Sequence, residues 1–129
     1  MPRPESTLSW PKKFSVAFRG LLWAIRSQSS FWVHIPIAIA VLIVAGIVHV
    51  ELWRWVTLVL TITIVFTAEL LNSAIEQIIR VLHPEYDERI GRALDISAAG
   101  VLAAAIGAIV IGVLTLAQPI WAIASKALQ

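Results

Sequence analysis

The sequence has 129 residues, 59% of them hydrophobic and 14% charged, with a mean hydropathy of +0.85. That is enough chain for one domain, and a soluble fold of this size has too little interior to hide so much apolar surface; the same richness excludes a disordered chain, so it reads as an integral membrane protein. The absence of cysteine excludes disulfide frameworks, zinc–thiolate sites and cysteine nucleophiles, and a net charge of +2 from ten Lys/Arg and eight Asp/Glu is too balanced to point to nucleic acid.

Residues 1–11, with Pro2, Pro4 and Pro11 beside Arg3 and Glu5, read as a loose tail. Over residues 12–27 the spacing becomes helical. Phe14, Ala17, Phe18, Leu21, Leu22 and Ile25 fall at steps of three and four on one face, with Lys12, Lys13, Arg19 and Arg26 mostly off it. A basic amphipathic helix of this kind lies flat in a membrane interface, and Trp10 and Trp23 suit the headgroup level. The alternative, a helix packed on a soluble core, fits the composition less well.

A first span is expected over residues 31–50. It has no charged residue beyond His34 and His49, and about twenty residues cover a hydrocarbon core of ~30 Å. It is longer than a signal-peptide core and begins late, so no cleavage is expected. Pro36 falls near its start, where a helix tolerates proline best. Glu51, Trp53, Arg54 and Trp55 make a tight polar turn with an aromatic belt. A second span is expected over 52–81, apolar through Ala68 and then carrying Glu69, Asn72, Glu76 and Arg80 to a stop before Pro84. Pro84 and Gly91 should interrupt the charged segment that follows. A third span is expected over 96–117, closed by Pro119, with Gly100, Ala104, Ala108 and Gly112 four apart. That stripe suits close helix packing in lipid, or is simply what an alanine-rich helix contains. The fold class is therefore all-α and membrane-embedded: a surface helix and three transmembrane helices.

Basic residues lie before the first span (Arg3, Lys12, Lys13, Arg19, Arg26) and in the second connection (Arg80, Arg89, Arg92), while the first connection has only Arg54 and the tail only Lys126. The positive-inside rule then places the N-terminus and the second connection in the cytoplasm and the C-terminus outside.

The chemistry lies in Glu69-Leu70-Leu71-Asn72-Ser73-Ala74-Ile75-Glu76. On a helix, Asn72 lies about 60° to one side of Glu69, Ser73 about 40° to the other, and Glu76 and Arg80 within about 20°. One polar face results, opposite Leu70, Leu71, Ala74, Ile75 and Ile78. Glu69 stands about 21 Å beyond Trp55, inside the cytoplasmic edge of the hydrocarbon, and Glu76 about 10 Å further on, near the headgroups. A carboxylate at the first depth costs a few kcal/mol (about 2.5 or more) unless it faces protein, water or a cation. Two carboxylates and an amide oxygen are hard ligands suited to Mg²⁺, which keeps most of its shell for water and phosphate. Burial would make Glu69 a better general base for a hydroxyl at the boundary. No P-loop or kinase glycine loop is present. Two other readings stay open on spacing alone: a polar seam between helices or subunits, and ion or proton conduction along it.

The segment FTAELLNSAIEQIIRVLHPEYDERIGRALDISAAGVLAAAI resembles the small prokaryotic membrane kinases of diacylglycerol or undecaprenol. The distinctive part is E-x-x-N-[ST]-A-x-E, supported by Glu85, Tyr86, Arg92, Ala93 and Asp95 and by the upstream FSVAFRGLLWAIRSQSSFWVH. The similarity runs from about Phe14 to Ile111. It implies homotrimers with composite sites between subunits, and transfer of the γ-phosphoryl group of MgATP to a lipid hydroxyl at the cytoplasmic interface. By match, Glu69 is the general base, Asn72 and Glu76 serve the nucleotide and its metal, and Asp95 positions the nucleotide end. The family's second metal-binding Glu is Gln28 here, which keeps an oxygen without the charge. Its Lys is Leu94, for which Arg92 or a surface-helix basic residue (Lys12, Lys13, Arg19) could substitute, and Trp32 replaces an Arg. His34 resembles the undecaprenol branch. These departures leave a catalytically impaired relative, whose polar seam serves subunit assembly, as the alternative to an active enzyme.

Overall fold

A computed structural model describes residues 8–128. The first seven positions of the expected tail lie outside the described residues, and its last two, Trp10 and Pro11, are helical. The described residues form four helices: α1 (Trp10–Ser27), α2 (Phe31–Ile47), α3 (Leu52–Leu82) and α4 (Glu88–Ala127). No strand occurs among the described residues. The all-helical membrane class is what the chain adopts.

Pro11 sits in the first turn of α1, where its missing N–H leaves no hydrogen bond unmade. Only Ala24 of α1 is buried. Trp10, Phe14, Phe18 and Trp23 stay exposed, so most of the apolar face has no cover among the described residues, as an interfacial helix requires. The chain then turns by 102° into α2. Phe31, fully buried, holds that corner by meeting the edge of Phe66 at 5.7 Å between ring centroids.

α2 ends at Ile47, short of the expected residue 50, because the chain closes it with a left-handed turn. His49 has φ 51°. The His49 N–H donates to Gly46 O, and the Val50 N–H donates to Ala45 O, both at 3.2 Å. That is a Schellman closure with His where glycine is usual. Val50 folds back onto Ala45, Leu58 and Leu116, a small buried cluster at this end of the molecule.

α3 and α4 are each long and apolar enough to cross a membrane, and the bent pair α1–α2 supplies a third apolar stretch. α3 buries one face, Leu58, Thr61, Val65, Glu69 and Ser73, at steps of three and four. α4 packs against it most extensively, with α2 resting on α3 more lightly. A cavity of about 510 Å³ lies among α2, α3 and α4.

α4 differs most from the sequence expectation, since it starts at Glu88 and runs through both Gly91 and Pro119 to Ala127. A glycine within a helix costs only about 1 kcal/mol, and Asp87 caps the start by accepting from the Arg89 N–H at 2.8 Å. Pro119 removes the donor for the carbonyl four residues earlier, that of Thr115. The Arg54 guanidinium supplies the replacement: Nη1 donates to Thr115 O, and Nη2 to Gln118 Oε1 at 2.6 Å. Arg54, in the first turn of α3, thus mends the proline break. The small-residue stripe makes no close packing at its ends within one chain, because a Cβ built at Gly100 or Gly112 would meet nothing within 4 Å.

Candidate functional site

Glu69 is 3% exposed, midway along the buried face of α3. Both carboxylate oxygens are engaged from α2. His34 Nε2 lies 2.9 Å from Oε1, and the Ser30 hydroxyl donates to Oε2 at 2.9 Å. Ser30 and His34 are four apart, hence on one face at the start of α2. Ser30 occupies the N-cap position but makes no side-chain cap; its hydroxyl serves Glu69 instead. Hydrogen bonds to a charged group contribute about 1.5–3 kcal/mol each, which offsets much of the penalty of placing a carboxylate here.

One turn further along α3, Asn72 Nδ2 donates to Glu76 Oε1 at 2.8 Å, and both residues are half-buried. The Asn72 Oδ1 atom is buried and has no hydrogen-bond partner. Ser73 is buried beside a second cavity between α1 and α3, lined by Gly20, Ala24, Leu70 and Gln77. Arg80 is exposed. The polar face expected from spacing therefore emerges gradually, from fully enclosed at Glu69 to open at Arg80.

The remaining sequence candidates are not drawn to α3. Gln28 terminates α1, where its backbone N–H donates to Ala24 O at 2.9 Å and its half-buried side chain makes no hydrogen bond among the described residues. Arg92 is exposed and pairs with Glu88 at 3.7 Å. Asp95 is exposed on α4, and no hydrogen bond or ion pair joins it to the α3 carboxylates among the described residues. In the connection before α4, the Arg89 side chain and then its backbone N–H hold the Asp87 carboxyl below its ordinary value of 3.8.

The arrangement offers two stations about 10 Å apart along α3. The deeper one, a carboxylate against an imidazole, suits proton transfer. The shallower one joins a carboxylate to an amide oxygen that lacks a partner, a donor set that fits a hard cation. Among the described residues no three His, Cys, Asp or Glu cluster in a way that could hold a metal unaided. A cation such as Mg²⁺ takes one or two protein oxygens and completes its shell with water and phosphate. Ser30 is the residue that sequence reasoning missed. Its signal was available, a hydroxyl one helical turn before His34 on the same face, but a serine ahead of a helix reads first as a cap.

The family model for prokaryotic diacylglycerol kinase matches residues 15–116, which include Gln28, Glu69, Asn72, Glu76, Arg92 and Asp95. A diacylglycerol kinase from Synechocystis sp. (strain ATCC 27184 / PCC 6803 / Kazusa) is 33% identical over 108 residues, which cover 83% of this chain and 62% of that protein. An undecaprenol kinase from Bacillus subtilis (strain 168) is 32% identical over 103 residues, covering 80% of this chain and 84% of that protein. The chain thus spans a little under two thirds of the length of the Synechocystis protein.

Proposed function

The chain belongs to the prokaryotic diacylglycerol kinase family, and on that footing we propose that it is a membrane-embedded lipid kinase, transferring the γ-phosphoryl group of ATP to the hydroxyl of undecaprenol or diacylglycerol at the cytoplasmic boundary. The observation that carries this reading is Glu69: a carboxylate 3% exposed, held on both oxygens, within a span that has no other acid before it. Its charge is what draws the proton from the lipid alcohol. Glu76 and the free Asn72 oxygen would hold Mg²⁺, with the Gln28 amide as a further neutral oxygen. When bound, the ion supplies charge neutralisation on the phosphates, which together with positioning accounts for most catalysis of this class.

Asp95 and Arg92 serve the nucleotide end in this proposal. Both are exposed and lack any tie to α3 within one chain, which supports a site completed by a neighbouring subunit of a homotrimer. His34 favours undecaprenol as the alcohol. The basic residues ahead of α2 favour a cytoplasmic N-terminus in the inner membrane.

The test is purified protein with labelled ATP, Mg²⁺ and a panel of undecaprenol, diacylglycerol and other lipid alcohols. Label should reach a lipid, and Glu69→Gln should abolish the transfer while MgATP still binds. Absence of transfer to any lipid alcohol would leave the assembly seam as the better account, with loss of the oligomer on changing Asn72 as its mark.

A further inference from the structure

The proposed kinase reaction gives the proton of the alcohol to Glu69, and a base works only when its lone pair is aimed at the hydroxyl. Both donors to the Glu69 carboxylate come from the start of α2: His34 Nε2 lies 2.9 Å from Oε1, and the Ser30 hydroxyl donates to Oε2 at 2.9 Å. Ser30 is free for this task because backbone carbonyls already satisfy the amides that a capping serine serves. The Trp32 N–H donates to Ser29 O at 3.0 Å, and the Val33 N–H to Ser30 O at 3.1 Å. Between the two donors, Phe31 is fully buried and meets Phe66 edge-on. Phe66 stands three residues before Glu69, on the same side of α3. The aromatic contact therefore sets how the first turn of α2 stands against the carboxylate. Elsewhere α2 rests on α3 lightly, so this turn is where the pose of α2 reaches Glu69.

We infer that Ser30 and His34 are positioning residues that hold the base Glu69 in the orientation in which it takes the proton, and that His34 serves as a hydrogen-bond donor rather than as a proton acceptor. This rests on the kinase reading above. With Glu69 ionised, the hydrogen of the ring lies on Nε2, facing Oε1. A carboxylate offers about four lone-pair sites on its two oxygens. One donor on each oxygen fixes the plane of the group and leaves the remaining sites to the alcohol. In the reaction the alcohol O–H bond breaks and its proton passes to a Glu69 carboxylate oxygen. The oxygen lone pair of the alcohol forms the new bond to the γ-phosphorus. The bond from that phosphorus to the β,γ-bridging oxygen breaks, and its electron pair leaves with ADP. Neither Ser30 nor His34 gains or loses a proton.

The experiment compares His34→Phe, which keeps a flat ring without an N–H, with His34→Gln, whose amide can still donate to Oε1 but cannot take a proton. In His34→Phe we expect kcat to fall by roughly 100-fold, the scale of a catalytic group misplaced by about 1 Å. The factor should be the same on every lipid alcohol that the wild type accepts. The KM for MgATP should not change, because the nucleotide station lies further along α3, at Asn72 and Glu76. His34→Gln should recover most of the loss and keep the wild-type dependence of kcat on pH. If His34→Phe does not fold, His34→Ala carries the same comparison. His34→Gln as slow as His34→Phe, wild-type kcat in His34→Phe, or a loss confined to the KM of one alcohol would overturn the inference and leave the kinase reading standing. Wild-type protein that phosphorylates no lipid alcohol would overturn both.

Discussion

Around Glu69 each polar atom has one assigned task, so single substitutions should separate cleanly. Ser30→Ala removes the donor to Oε2 and leaves a buried carboxylate oxygen bare, at a cost of about 1–3 kcal/mol. We expect a lower thermal midpoint in detergent, together with a loss of turnover as Glu69 swings from the imidazole; an unshifted midpoint would contradict the hydrogen bond. Glu76→Gln should behave differently. The amide keeps the shape but loses the charge beside Asn72, so the Mg²⁺ concentration for half-maximal turnover should rise about tenfold, the equivalent of ~1.4 kcal/mol, with maximal turnover less affected than in Glu69→Gln. Equal Mg²⁺ titrations for wild type and Glu76→Gln would remove Glu76 from the cation site.

The elements are joined by two devices that make their own predictions. At the end of α2, His49 holds φ 51°, a left-handed conformation that costs a residue with a side chain about 1–2 kcal/mol. His49→Gly should therefore stabilise the protein by roughly 0.5–1 kcal/mol, less than the strain relieved because glycine also loosens the unfolded chain; equilibrium unfolding in detergent measures it. At the same end of the molecule, Arg54 donates to the Thr115 carbonyl that Pro119 leaves unmatched. Arg54→Ala should destabilise by about 1–3 kcal/mol. In a Pro119→Ala background, where the helix can make its own bond, the same change should cost measurably less, and strict additivity would show that Arg54 is not mending the break. The cap at Asp87 has a pH signature. Its carboxyl is lowered from 3.8 by Arg89, so the stabilisation is complete above the unfolded value and is lost as pH falls through the lower native one. The protection of first-turn amides of α4, measured against their intrinsic exchange rates, should fall only in that acid window.

At the scale of the whole molecule, orientation is the property most open to a direct test. The sequence holds no cysteine, so single cysteines at Ser9, which is exposed, and Ser125, which is half-buried, can be labelled from one side of the membrane at a time. We expect Ser9→Cys to react from the cytoplasmic side and Ser125→Cys from the opposite one; labelling of both from the same side would contradict an odd number of crossings. What the sequence by itself determined is local: the membrane class, the amphipathic leading helix, the helical segments and the polar face of α3 follow from hydropathy and from a period of 3.6 residues, quantities readable within a window of one element. What only the tertiary structure decided is which distant groups meet. Ser30 and His34 reach Glu69 across 39 and 35 positions, and Arg54 reaches Thr115 and Gln118 across 61 and 64. The unbroken course of α4 belongs to this second kind. Pro119 read alone is a stop, and it becomes part of a helix because a cation from another element satisfies the carbonyl it orphans. Periodicity describes which face a residue takes. Only packing supplies the partner that face finds, and a buried polar group is tolerated or excluded according to that partner.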